Sequence, residues 1–143
     1  MDFKLISVAV ALAILGLGMA VVAPVGVDLA AVLSAEQAAE RLARELQHYQ
    51  QLAVAQNTTF EFAFFPFDNC YVIKDLSGQY PVAQTIWLPA GVEFDYLSYQ
   101  HQVRYHPSGR ASQNGRISLT HENWQGNVQI IIANHSGRVR VQR

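Results

Sequence analysis

The side chains best suited to catalysis or metal binding are five histidines and eleven carboxylates, and their spacing argues against both roles. No two histidines stand two or four residues apart, the spacings that bring two imidazoles to one face of a strand or helix. The histidines are His48, His101, His106, His121 and His135. There is also no glycine-rich phosphate loop, no Gly-x-Ser-x-Gly elbow and no paired-carboxylate signature. The sequence therefore predicts a protein that is not an enzyme and that uses no metal or other cofactor.

The single cysteine, Cys70, cannot form a disulfide within the chain, so the fold requires none. It lies in the strand-like run of residues 69–73, and no neighbouring base favours its thiolate. We expect a buried structural thiol.

The pattern that most suggests binding is an excess of arginine near the C-terminus. Residues 101–143 carry six arginines against one acid, whereas residues 1–100 carry four lysines or arginines against ten acids. In an extended strand, Arg138 and Arg140 project to one face about 6.8 Å apart, while the alternating valines face the core. Arg143 shares this region, and so do Arg104, Arg110 and Arg116 if their strands neighbour it.

Guanidinium groups gathered on one face suit a phosphate backbone, which supplies most of the affinity that does not depend on sequence. The arginines therefore suggest DNA as a partner. The alternative is an amphipathic final strand with ordinary surface arginines.

The element that precedes these residues is a long apolar segment. Residues 5–27 contain no charged side chain. As a helix, residues 5–23 rise about 28 Å, close to the hydrocarbon thickness of a bilayer. The segment is apolar on every side, which predicts a membrane span. Lys4 on a very short N-terminus favours a cytoplasmic N-terminus and an exported C-terminal part.

A cleaved secretory signal peptide is the alternative for this segment. The basic region before it is reduced to Lys4, the apolar stretch is longer than usual, and a passable cleavage site at residues 31–35 lies late. Pro24 lacks an N–H and clashes with the preceding turn, so we expect it to end or kink the helix.

An amphipathic helix is predicted over residues 35–56. Leu42, Leu46, Tyr49 and Ala53 recur at intervals of four, three and four residues, which places them on one face. We expect this face to pack on the domain's own sheet. A partner-binding helix is the alternative, because residues 31–39 offer few large side chains for packing. Asn57 and Thr58 should end the helix.

After Asn57 the apolar period changes to two, which is typical of strands. Phe60, Phe62 and Phe64 alternate with smaller or polar residues. Further short strands are expected near residues 71–73, 86–88, 92–97, 103–105, 117–119, 128–132 and 139–141, forming an antiparallel meander. About 110 residues remain beyond the apolar segment, enough for one modest core.

The predicted fold class is α+β, a long N-terminal helix with a membrane-embedded first half packed on an antiparallel β-sheet head. We divide the chain into residues 1–34, a transmembrane and assembly helix, and residues 35–143, a globular head. Within the head we expect a helix over residues 35–56 and a sheet over residues 58–143.

The N-terminal run resembles the mature N-terminus of type IV pilins and pseudopilins. The residues that carry this resemblance, and that it implies to be the membrane and assembly anchor, are Phe3, Leu5, Ile6, Ser7, Gly16 and Pro24. The tail is similar to GspH/FimT-like minor pseudopilins at residues 103–109, 115–119 and 137–140. The helix shares the style of ComGD-like competence pseudopilins at Leu42, Leu46, Gln50 and Ala53.

The resemblance implies a non-enzymatic minor pilin or pseudopilin subunit of a type IV pilus, competence pilus or type II secretion system. Its partners would be the membrane and other pilin subunits, with no small-molecule substrate. It would sit as a single-pass protein of the inner or cytoplasmic membrane with an exported C-terminal domain, associated with a filament.

FimT-like members with a Gly-Arg-x-Arg tail are associated with DNA capture in natural transformation. The alternative function is therefore a DNA-capturing receptor that uses Arg138, Arg140, Arg143 and Arg116.

Two positions depart from the family's pattern. Asp2 stands where the family has its processing glycine, and Ser7 stands where it has a glutamate. The first argues against cleavage before Phe3. The second favours a tip position or a membrane-resident role over ordinary incorporation into a filament.

Overall fold

The computed structural model describes residues 2–77, 84–98 and 101–143, with side chains outside residues 18–28. One helix, α1, spans Asp2–Gln56 and is followed by strands. These are β1 Phe60–Phe65, β2 Cys70–Asp75, β3 Gln84–Trp87, β4 Val92–Leu97, β5 Gln102–Tyr105, β6 Gly115–His121, β7 Trp124–Ile132 and β8 Val139–Gln142.

The helix continues past Pro24, so the prediction that it could end there is wrong. A proline removes one backbone hydrogen bond, but the turns on either side keep theirs in a long helix. The helix does end where the sequence predicted. Asn57 adopts a left-handed φ of 50°, and the Thr58 N–H donates to the Ala53 carbonyl at 3.1 Å, which closes the last turn.

The strands form two four-stranded antiparallel sheets. The first sheet has the order β3-β2-β1-β5 and the second has the order β4-β6-β7-β8. The fold class is therefore confirmed, but the expected single meander is wrong. The chain leaves the first sheet after β3, contributes β4 to the second, and returns for β5 before completing the second sheet. β1 is thereby paired along both edges.

The core lies between α1 and the inner faces of both sheets. Leu42 and Leu46 on the helix are fully buried, as the helical periodicity predicted. Tyr49 packs edge-on against Phe60 and Phe62 of β1, with ring centroids 5.1 and 5.7 Å away. The prediction that this helix packs on the domain's own strands is confirmed.

Aromatic packing also joins the two sheets to each other. The rings of Phe64 on β1 and Phe94 on β4 meet edge to face with centroids 5.8 Å apart. Ile117, Leu119 and Ile130 complete the buried side of the second sheet. The outer faces of both sheets are thus left for other contacts.

Candidate functional site

The first surface of interest is the N-terminal part of α1. Phe3 is 90% exposed, and Leu5, Ile6 and Leu12 are also among the large apolar side chains open to solvent. Residues 2–17 are all exposed, Ser7 included, and a side chain at Gly16 would meet no described atom within 4 Å. An apolar surface of this extent marks an interaction site.

Of the predicted anchor residues, Pro24 lies within α1, but its side chain falls outside the described ones. In the part of α1 that is described, no stretch is both long and apolar enough to cross a membrane. The membrane-embedded first half therefore stays a prediction.

The second surface is the outer face of the second sheet, where three arginines come together. The register places Arg116 of β6 opposite Ile131 of β7, and Ile131 opposite Arg140 of β8. Arg116 and Arg140 are both exposed and lie about 10 Å apart, two strand spacings, on one face. We call Arg116, Arg138 and Arg140 the arginine cluster.

Arg138 joins this cluster because the β7–β8 ladder extends one residue before β8. The Ala133 N–H donates to the Arg138 carbonyl at 3.0 Å. Arg138 is exposed and Val139 is buried, so Arg138 projects to the same side as Arg140. The alternation predicted for these residues is confirmed.

The structure does not bring Arg143 to the cluster. Its Nε lies 3.0 Å from Glu36 Oε1 on α1, on the opposite side of β8. Arg104 is also elsewhere, because its Nε contacts Glu61 Oε2 at 2.7 Å in the first sheet. Arg110 is exposed in the segment between β5 and β6. Of the predicted DNA-binding residues, three therefore share one face.

Charge varies along that face. Thr120 and its partner Glu93 lie about 13 Å from Arg116 along the strand direction. Near that end the Asn127 Nδ2 donates to Asp95 Oδ2 at 3.1 Å. The face is therefore basic at the cluster and acidic at its other end, so positive potential is concentrated around the arginines.

Side-chain hydrogen bonds from α1 hold the turn at residues 136–137, which directly precedes Arg138. The Gln50 side-chain amide on α1 donates to the Gly109 carbonyl at 2.8 Å and to the Ser136 carbonyl at 2.9 Å. Gly137 has a left-handed φ of 62°, and a side chain there would collide with Gln50 and with Gly109. Sequence reasoning noted Gln50 only as part of the helix pattern, because nothing local to it indicates these distant carbonyls.

The ionisable groups of the core act as structural elements. The Tyr71 hydroxyl donates to Glu45 Oε2 at 2.6 Å, and burial, together with this bond, raises the Tyr71 pKa well above its ordinary value. Cys70 is buried, and burial with the nearby Asp68 charge raises the pKa of its thiol, as expected of a structural cysteine. Within the described residues, no three His, Cys, Asp or Glu side chains converge on a possible metal position.

Comparison with known proteins assigns the chain to a family. A model of the type II transport protein GspH family matches residues 38–141, most of the chain. The chain belongs to the GspH family. It is a type IV pilin-like minor pseudopilin, as the sequence resemblance predicted.

Solved structures show the same fold as this GspH-family chain. The minor pseudopilin EpsH from the type 2 secretion system of Vibrio cholerae has a TM-score of 0.62 and 13% identity, covering 76% of this chain and 96% of that chain. The type IV minor pilin FimU of Pseudomonas aeruginosa has a TM-score of 0.61 and 16% identity, covering 76% of this chain and 88% of that chain. No curated protein matches the sequence significantly.

Pilin and pseudopilin families are structural and non-enzymatic, and their members assemble with other pilin subunits. Membership of the GspH family also implies a membrane-anchored, filament-associated protein.

Proposed function

We propose that the chain is a minor subunit of a pilus-like filament, of the type II secretion or type IV pilus kind. Residues 1–34 anchor it in the inner or cytoplasmic membrane, and residues 35–143 form an exported head. The observation that carries this proposal is the exposed apolar surface of residues 2–17. Burying it against lipid or against other apolar helices gains about 25 cal/mol for each Å² removed from water.

Site-specific photocrosslinking in cells tests this function. Leu12→benzoylphenylalanine places the crosslinker on the exposed apolar helix, and Val54→benzoylphenylalanine places it on the exposed head end of α1. We expect the first variant to give adducts with other pilin-like subunits and to fractionate with membranes. Adducts from Leu12 should be absent from the Val54 control. A freely soluble chain without adducts would overturn the proposal.

A second candidate function, capture of DNA, is favoured by the arginine cluster. Three guanidinium groups on one exposed face offer charge-assisted contacts to a phosphate backbone regardless of base sequence. The acidic end of the same face would repel the duplex, so the backbone should cross the sheet near β8 rather than cover the whole face.

DNA retention by the full chain in detergent micelles tests this candidate. Arg138→Ala with Arg140→Ala should weaken binding to duplexes of any sequence and reduce the salt slope by about one unit per arginine lost. Arg41→Ala with Arg44→Ala removes the same charge from α1, where both side chains lie by the first sheet at Ile86 and Trp87. Equal retention by both double variants would remove DNA capture as a function of the cluster.

A further inference from the structure

The strand that carries two of the three clustered arginines is short. β8 has four residues and, among the strands that the structure describes, pairs only with β7, at the edge of the second sheet. A slip of one residue in the register of a strand turns each side chain to the other face. Such a slip would expose Val139, so burial of this valine selects the face to which Arg138 and Arg140 project. How firmly the first residues of β8 are held on that face depends on the turn that precedes them.

Two side chains of α1, those of Gln50 and Gln47, donate hydrogen bonds to the backbone of this region. The amide of Gln50 bridges the carbonyls of Gly109 and Ser136, so it ties the turn before β8 to the segment between β5 and β6. One helical turn earlier, the Gln47 amide reaches the Val139 carbonyl at 3.5 Å, a longer and weaker contact. Gln50 therefore makes the stronger connection.

The turn itself accepts one conformation. Gly137 needs its left-handed φ, is buried, and has no room for a side chain beside Gln50. The Tyr105 hydroxyl also lies near the Gly137 carbonyl, but at 3.5 Å. Ser136 is exposed, so without the Gln50 amide its carbonyl would accept a hydrogen bond from water instead. The turn would then lose this hydrogen bond to the helix.

We propose that Gln50 is a positioning residue for the arginine cluster. Its side-chain amide holds the Ser136–Gly137 turn in place and so keeps Arg138 and Arg140 in position on the outer face that the buried Val139 selects. The role of this contact in binding rests on the proposed DNA capture. Its role in holding β8 does not, and the two are measured separately.

The matched pair Gln50→Glu and Gln51→Glu tests the proposal in the full chain. Both variants add one negative charge at neighbouring helix positions, and Gln51 is exposed. Only Gln50→Glu replaces a donor by a carboxylate that faces two carbonyls. We expect amide hydrogen exchange in residues 137–142 to speed up about tenfold or more in Gln50→Glu and to stay unchanged in Gln51→Glu.

Acid should rescue the first variant. A protonated carboxyl group donates one hydrogen bond, so lowering the pH should slow exchange toward that of the Gln51→Glu control at the same pH. Gln50→Met, which keeps the length of the side chain without any charge, should speed exchange at every pH. These two variants distinguish a lost hydrogen bond from a general loss of packing.

DNA retention in the same micelles gives the second readout. We expect Gln50→Met to weaken retention severalfold while its urea midpoint stays closer to the unsubstituted chain than that of a core truncation such as Leu46→Ala. Unchanged exchange in both Gln50 variants would overturn the positioning role. If the unsubstituted chain fails to retain DNA, DNA capture falls, and exchange alone decides whether Gln50 holds β8.

Discussion

The Tyr71 phenol shows how single polar groups fasten the helix to the strands. It is buried under α1, and its hydroxyl donates to Glu45, which also contacts Arg41 Nε at 3.3 Å. A hydrogen bond to a charged group typically contributes about 1.5–3 kcal/mol to stability. Because it has a defined direction and length, the bond helps to fix the position of the helix relative to β2. Apolar packing alone specifies that position less sharply.

Alkaline pH should destabilise the head through buried phenols. Burial raises the pKa of Tyr71 and of Tyr105 well above the ordinary value of 10.0. Above pH 10 the unfolded chain releases these protons while the folded chain retains them, so the free energy of unfolding falls as pH rises. Below that pH the stabilisation is fully present. Urea midpoints at pH 8 and pH 11 measure this loss.

Phenylalanine variants identify the groups responsible. Tyr71→Phe and Tyr105→Phe should each flatten the decline between the two pH values, whereas Tyr96→Phe, at an exposed position, should not. If all three variants follow the profile of the unsubstituted chain, the buried phenols are not its cause.

Gly137→Ala should destabilise the head by about 2 kcal/mol or more. A left-handed backbone costs an alanine about 1–2 kcal/mol, and the collision with the Gln50 amide and the Gly109 carbonyl adds to that. Urea denaturation measures the change, with the exposed Gln142→Ala on the same strand as a control. An unfolding free energy equal to that of the control would show that the turn adapts without cost.

At the scale of elements, sequence periodicity predicted the head half of α1 and the positions of the strands. Leu42 and Leu46 became core because a period near 3.6 defines one helical face, and the alternating phenylalanines of β1 became core because a period of two defines one strand face. The division into two sheets was not predictable. The second neighbour of β1 is β5, which lies about forty residues further along the chain. No local pattern in the sequence indicates a pairing between such distant segments.

The candidate site was predictable to a similar degree. Alternation along the strand predicted that Arg138 and Arg140 share one face. Arg116 joins them because of the β6–β7–β8 register. Arg143 lies elsewhere because it contacts Glu36 of α1. Both are contacts between residues far apart in the chain.

Helix packing on the two sheets should dominate the stability of the head. Leu46→Ala removes a fully buried side chain and should cost about 2–5 kcal/mol, because the surrounding strands cannot close the cavity completely. Val54→Ala, at an exposed position of the same helix, should change the unfolding free energy by less than about 0.5 kcal/mol. Chemical denaturation monitored by tryptophan fluorescence compares them. Similar losses in the two variants would contradict this packing.

At the scale of the whole molecule, the exposed part of α1 and the folded head serve different contacts. The side chains of residues 2–17 are exposed, whereas the helix face that includes Leu42 and Leu46 is buried in the head. Substitutions in the first region should therefore affect association and leave head stability unchanged.

Leu5→Glu with Leu12→Glu tests this separation. We expect the double variant to lose partition into a detergent phase, because two charges interrupt the apolar surface, while the thermal midpoint of the head stays within about 1 °C. Leu46→Ala should do the opposite, lowering the midpoint and keeping the partition. A large fall in the midpoint of the double variant would show that residues 2–17 stabilise the head.

The unbroken helix also has a mechanical consequence. Its 55 residues rise about 80 Å, of which more than 40 Å precede Ala31, the first of the described side chains to be buried in the head. If the helix moves as a rigid rod, a change of about 5° in the angle between its axis and the head would displace Phe3 by about 4 Å. In such a rod, the packing of Leu42 and Leu46 in the head would determine the position of Phe3, although these residues lie far from it along the helix.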